Sequence, residues 1–118
     1  MKLRTGSTET HFNPHLISHV YLNVDASLLT VHFVEGAHSG FAVESPEEHA
    51  SAAEFLKQLT APACGFVSIG KEVLNLKAAL WIEVPEEGPI QIRLGDGRSR
   101  IVDDADRAVI LNLLNQQS

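Results

Sequence analysis

Between residues 16 and 36 apolar and polar side chains alternate on both sides of a short turn. Val20, Leu22 and Val24 fall on one face of the first arm, and Leu29, Val31 and Phe33 on one face of the second. A period of two in adjacent arms predicts an antiparallel hairpin with one buried side. A turn over residues 25–28 sets the six apolar residues opposite one another. The outer face then carries His19, Tyr21, Asn23, Thr30, His32 and Val34, with Tyr21 directly across from His32.

Two short strands, residues 2–5 and 10–12, are predicted before this hairpin, around Gly6-Ser7-Thr8. Asn13-Pro14 ends the second strand, with Asn as a cap and Pro at the first position of a single helical turn. Beyond Gly36 a third arm covers residues 40–43. Ser45-Pro46-Glu47-Glu48 is then a capping box with Pro at the first helical position, so a helix starts there. Ala52, Phe55, Leu56 and Leu59 form its apolar stripe, which covers the buried side of the hairpin, and it stops near Thr60 ahead of Ala61-Pro62.

The order begins again at Gly65. Strands over residues 66–69 and 73–76 flank Gly70-Lys71, and Leu80, Ile82 and Val84 form one face of a new arm. Pro85-Glu86-Glu87-Gly88 turns the chain, Ile90, Ile92 and Leu94 return it, and residues 100–102 make the third arm. Asp103 and Asp106 start a last helix whose apolar side is Val109, Ile110, Leu113 and Leu114. Asn75 answers Asn13, and Asp96-Gly97 answers Glu35-Gly36, at a period of about 61 residues. The pattern predicts one α+β domain of two tandem repeats, 1–60 and 64–118. Each is a set of antiparallel strands followed by one helix, and together they form a shared curved sheet or barrel-like core. Neither repeat alone has enough apolar surface for a comfortable core.

The chain of 118 residues is 44% hydrophobic and 20% charged, the balance of a globular domain. Its net charge of -6 argues against a protein held mainly by phosphate contacts, because those rest on Lys and Arg displacing counterions. Nucleic acid is therefore set aside in favour of protein contacts. Cys64 is the only cysteine, so no internal disulfide forms. No apolar run has the length of a signal core or a membrane span, which points to the cytoplasm.

At Asn13-Pro14-His15-Leu16-Ile17 the chain resembles the small flagellar FlbD (SwrD) proteins, which carry Asn-Pro-x-Leu-Ile between a short strand pair and a hairpin. The resemblance runs on through Glu35-Gly36, Val43-Glu44-Ser45 and the following Glu pair. Gly70, Asn75, Asp96-Gly97 and Val102 sit similarly in the second repeat. It implies a tandem form of a single-copy family and a role near motility or regulation. Phe66-Val67-Ser68-Ile69, Val73-Leu74-Asn75-Leu76 and Asp96-Gly97 also look like the LytTR DNA-binding domain. That family has basic residues in this segment and a Ser-Arg pair after the last hairpin. Here Ser68, Gly70 and Lys71 stand in the segment and Val102-Asp103-Asp104 replaces the pair, so this resemblance implies the fold without the DNA-holding residues.

Candidate chemistry is sparse. All six histidines lie in the first repeat, and His15, His19 and His32 are the set that a metal-dependent enzyme would use. Scattered surface and strand histidines account for them more simply, so no metal and no cofactor is expected. Cys64 has no adjacent base and reads as a buried thiol. No phosphate loop, calcium loop or serine elbow is present. The hairpin outer faces carry the stronger signal: Tyr21 and His32 pair on the first, Trp81 and Arg93 on the second. An aromatic beside a cationic or protonatable group on a sheet suits a protein hot spot, base stacking or an internal cation-π contact. Lys71, Lys77, Arg93, Arg98, Arg100 and Arg107 are candidates for a basic patch, with intervening acids to neutralise it.

The leading expectation is a non-catalytic cytoplasmic adaptor acting through a protein partner or self-association as a homodimer, with no membrane or small-molecule ligand. Tyr21, His32, Trp81 and Arg93 are its contact residues. The alternatives are nucleic-acid binding through Tyr21, Trp81, Arg93, Arg98 and Arg100, and the histidine metal enzyme.

Overall fold

The computed structural model describes residues 1–117. Strands β1 (Lys2–Thr5) and β2 (Thr8–His11) pair antiparallel across Gly6-Ser7. The second strand thus starts two residues earlier than the apolar pattern suggested. A single 3-10 turn (Pro14–Leu16) follows, capped by Asn13, whose Oδ1 accepts the His15 N–H. Next come β3 (Ile17–Asn23), β4 (Leu28–Phe33), β5 (His38–Ala42) and helix α1 (Pro46–Leu59). The second half has the same order. It comprises β6 (Phe66–Ile69), β7 (Glu72–Asn75), a 3-10 turn (Leu76–Ala78) capped by Asn75, β8 (Trp81–Glu83), β9 (Ile90–Arg93), β10 (Ser99–Val102) and α2 (Asp104–Gln117). The fold is α+β: two successive sets of antiparallel strands, each followed by a helix.

Helix α1 begins where the sequence places it. Ser45 Oγ accepts the Glu48 N–H at 3.1 Å, and Glu48 Oε1 accepts the Ser45 N–H at 3.0 Å. The same carboxylate also accepts the backbone N–H groups of Glu44 and Gly6. Those bonds, Ser45's first, pull its carboxyl down to about 2 and tie the helix to the β1–β2 turn. Ala52, Phe55 and Leu59 are buried against the hairpin residues Val20, Leu29 and Val31.

The sheets do not close. β3 pairs with β4 on one side and with β7 on the other, giving an open five-stranded sheet ordered β5-β4-β3-β7-β6. The remaining strands form a three-stranded sheet β10-β9-β8 and the pair β1-β2. The expected shared sheet therefore exists at the β3–β7 seam, whereas the barrel-like closure does not form among the described residues. Instead of one core there are two clusters. Successive residues of a strand point to opposite faces, so β6 and β7 serve both: Phe66 and Val73 pack into the first cluster, Val67 and Leu74 into the second. End-to-end cores give the chain its extents of 49 × 25 × 24 Å.

The hairpin register differs from the sequence reading. Asn23 pairs with Leu28, Ser27 turns with φ 51°, and the Ala26 N–H is held by Asn23 Oδ1. Val24 thereby falls in the turn, exposed, and the partners slide by two residues. Tyr21 faces Thr30, and His32 faces His19. A two-residue slide keeps the paired strand residues on their expected faces, which is why the buried set survives the error apart from Val24. In the second half Ile82, Ile90, Ile92 and Leu94 pack inward, but Leu80 and Val84 lie beyond the short β8 and are exposed. On α2, Ile110 is buried and Val109 faces outward.

Asn75 fastens the two halves at the seam. Its Nδ2 donates to the Ile17 carbonyl at 2.8 Å and lies 3.4 Å from that of Pro14, while Oδ1 accepts the Lys77 N–H. The residue is buried, so Asn75→Ala strands the Ile17 carbonyl and uncaps the 3-10 turn. A loss of about 1 to 3 kcal/mol is expected in urea denaturation.

Candidate functional site

The outer side of the β3–β4 hairpin meets the β6–β7 turn and the β9–β10 turn in a shallow open concavity of roughly 530 Å³. Tyr21 and His32 line it together with Thr30, Lys71, Glu72, Arg98 and Arg100. β7 lies beside β3 and brings Glu72 next to Tyr21. Arg100 projects from the same face of β10 as Val102 and reaches across to Glu72. Its Nε stands 2.7 Å from Oε1 and its Nη2 2.9 Å from Oε2. This two-pronged bond clamps the small sheet to the large one. It holds the Glu72 carboxyl below the usual carboxylate range and raises the Arg100 guanidinium.

Asp96 enters from the β9–β10 turn with a side chain only 3% exposed. Its N–H donates to Ser18 Oγ at 3.3 Å, its Oδ1 accepts the Arg98 N–H at 3.1 Å, and Oδ2 lies 3.5 Å from Arg98 Nε. Beneath it is His19, fully buried on the central strand. His19 Nδ1 is 3.1 Å from Ser18 Oγ and 3.9 Å from Asp96 Oδ2. Its Nε2 is 3.9 Å from Glu72 Oε2 and has no hydrogen-bond partner. The His32 ring stacks on it, centroids 4.2 Å apart and planes 6° from parallel, and His38 stacks beyond His32 at 5.4 Å.

Burial is the main cause, and His32 the second, of a His19 pKa pushed down to about 4; Asp96 and Glu72 pull against it. The direction of linkage follows. An unfolded histidine titrates near 6.5, so between there and about 4 the unfolded chain binds a proton that the folded one refuses. Stability is therefore present above pH 6.5 and declines as pH falls through this window, by roughly 2 to 3 kcal/mol. Urea denaturation in chelator across that range measures the decline, and His19→Gln should flatten it.

Trp81 faces Arg93 in the expected register, with the guanidinium carbon 5.1 Å from the ring centroid. Arg93 Nη1 donates to the Gly97 carbonyl at 2.8 Å, so the pair braces the turn that presents Arg98. Trp81 remains 49% exposed, and no other part of the described chain covers this face. The anticipated Tyr21–His32 pair is not formed directly, though both residues line the concavity. Lys77 stands apart, near Gly65, and Arg107 binds the Gly88 and Pro85 carbonyls. His15 lines a separate groove with Cys64, so the set His15, His19 and His32 is not assembled. Thr30 was placed on the outer face from sequence, but Glu72 and Asp96 were given no part in a site. The β9–β10 turn itself was marked by the recurrence of Asp96-Gly97 at the place of Glu35-Gly36 and by its part in the LytTR resemblance.

No protein-family model and no curated protein matches this sequence, and the FlbD resemblance is left without support. Among solved structures, a LytTr DNA-binding domain from Bacillus cereus matches with a TM-score of 0.61. The match covers 97% of this chain and 94% of that chain at 12% identity. The chain has a LytTr-like fold. The second resemblance drawn from the sequence thus holds at the level of fold. Because that neighbour is a DNA-binding domain, the comparison overturns the protein-contact adaptor and the setting aside of nucleic acid. Net charge sums the whole surface, whereas this fold gathers Lys71, Arg98 and Arg100 on one side. Among the described residues no helix is long and apolar enough to cross a membrane.

Proposed function

We propose that the protein binds nucleic acid, duplex DNA foremost, through the concavity between the two halves. The observation that carries this reading is the meeting of Lys71, Arg98 and Arg100 with Tyr21 and His32 on one open face of a LytTr-like fold. Lys71 and Arg98 are exposed and point charges toward the rim, where phosphates are met. Arg100 is neutralised by Glu72, and Arg98 is partly neutralised by Asp96, so the face is only mildly basic. Two to four phosphate contacts are expected, and the logarithm of affinity should fall with the logarithm of salt with a slope of roughly -2 to -4. Phosphate contacts position a duplex, while Tyr21, Thr30 and His32 offer hydroxyl and imidazole groups to base edges or sugars. A cytoplasmic location accords with this reading.

Fluorescence anisotropy with labelled duplex and single-stranded oligonucleotides, from low to physiological salt, is the test. Salt-sensitive binding that favours the duplex is expected. No binding to either at low salt would refute the reading, and a strong preference for single strands would move the contact surface toward Trp81.

A further inference from the structure

We propose that His19, His32 and Asp96 form a binding site for a divalent transition metal of the zinc type. Three separate pieces of chain deliver them: the central strand β3, its neighbour β4 and the β9–β10 turn. One ligand atom from each lies within 4.8 Å of the others. Two imidazoles and a carboxylate make a borderline donor set that suits zinc, cobalt or nickel over magnesium or calcium, which want oxygen alone. Three protein ligands leave a fourth position, facing the concavity, for water.

The surroundings fit that use. His19 is wholly buried, with Nδ1, the nitrogen that would ligate, 3.9 Å from Asp96 Oδ2, and with the otherwise unpartnered Nε2 3.9 Å from Glu72 Oε2, the kind of carboxylate that steadies a ligating imidazole from its far side. Donors on a tetrahedral zinc stand about 3.4 Å apart, so the His19–Asp96 pair closes by about half an ångström on binding. Ser18 Oγ, 3.1 Å from His19 Nδ1, must release that nitrogen to the metal while still accepting the Asp96 N–H. The stacked rings do require one movement. Parallel planes cannot aim two lone pairs at one point, so His32 turns about its side-chain axis. It is half-buried at the edge of the open concavity, where there is space to turn. Arg98 competes for Asp96 Oδ2 and must yield it to the metal.

The proposal does not depend on nucleic-acid binding. The test is titration of the chelator-treated full chain with zinc by calorimetry and with cobalt by visible absorption, each variant being checked for fold by circular dichroism. One equivalent should bind, with the intense cobalt band of four-coordination. His32→Ala and Asp96→Asn, at positions that need not disrupt the core, should each weaken zinc at least tenfold. Arg98→Ala should tighten it, and His15→Ala should leave it unchanged. Failure to bind at tens of micromolar zinc would overturn the site. So would affinities for His32→Ala and Asp96→Asn equal to the parent, or an equal loss in His15→Ala.

Discussion

Phe55→Ala is expected to lower stability by about 3 to 5 kcal/mol, the range for an aromatic truncated in a well-packed core. Phe55 is fully buried on the inner face of α1. Its ring centroid lies 5.1 Å from that of Phe12, which in turn meets Phe41 edge-on at 5.5 Å and stacks with Phe33 at 6.5 Å. Removing the ring opens a cavity where helix, hairpin and the strap after β2 all converge, and none of the three can close alone. Leu56, one residue on and only half-buried, should cost clearly less when truncated. Trp81 provides an independent reading, because it stands in the other half of the molecule. β6 and β7 place Phe66 and Val73 in one cluster and Val67 and Leu74 in the other. Loss of one core thus removes a wall of its neighbour. The urea midpoint seen by Trp81 fluorescence should shift together with that seen by circular dichroism. A Trp81 transition left in place would mean that the halves unfold separately.

Much of this fold was legible because it is written in local chemistry. The capping box at Ser45 and Glu48, the stripe Ala52, Phe55 and Leu59, and the strand at Phe66–Ile69 each follow from a few adjacent residues. So did the class, and the register that sets Trp81 against Arg93. The β3–β4 register was misjudged because Asn23 and Ser27 set the four-residue turn one position earlier than the apolar pattern suggested, and hydrophobicity does not distinguish registers two residues apart. What was least legible is the meeting of the halves. Nothing near His19 says that β7 will lie beside it or that Asp96 will descend on it from far along the chain. An outer-face histidine became the most buried polar residue of the site for that reason. The concavity is likewise a product of long-range packing. Lys71, Arg98 and Arg100 were among six candidates for a basic patch in sequence, but nothing local says which of the six converge.

The double substitution Lys71→Ala with Arg98→Ala is expected to weaken duplex binding by about tenfold to a hundredfold at low salt. It should also reduce the salt slope by about two, since each phosphate contact contributes close to 0.9. Both residues are exposed at turns, so stability should change little and the binding loss can be read directly. Trp81→Ala supplies the contrast. One face of its indole is already occupied by the Arg93 guanidinium, which is itself anchored to Gly97. If the duplex is held by phosphate contacts in the concavity, losing the indole should alter affinity less than threefold and leave the slope intact. If bases stack on it instead, the same substitution should cost about 1 to 3 kcal/mol for a single strand. The slope and the ratio of the two losses therefore separate a duplex held by charge from a strand held by stacking. Equal affinities for the parent and the double variant would remove the concavity from the contact surface altogether.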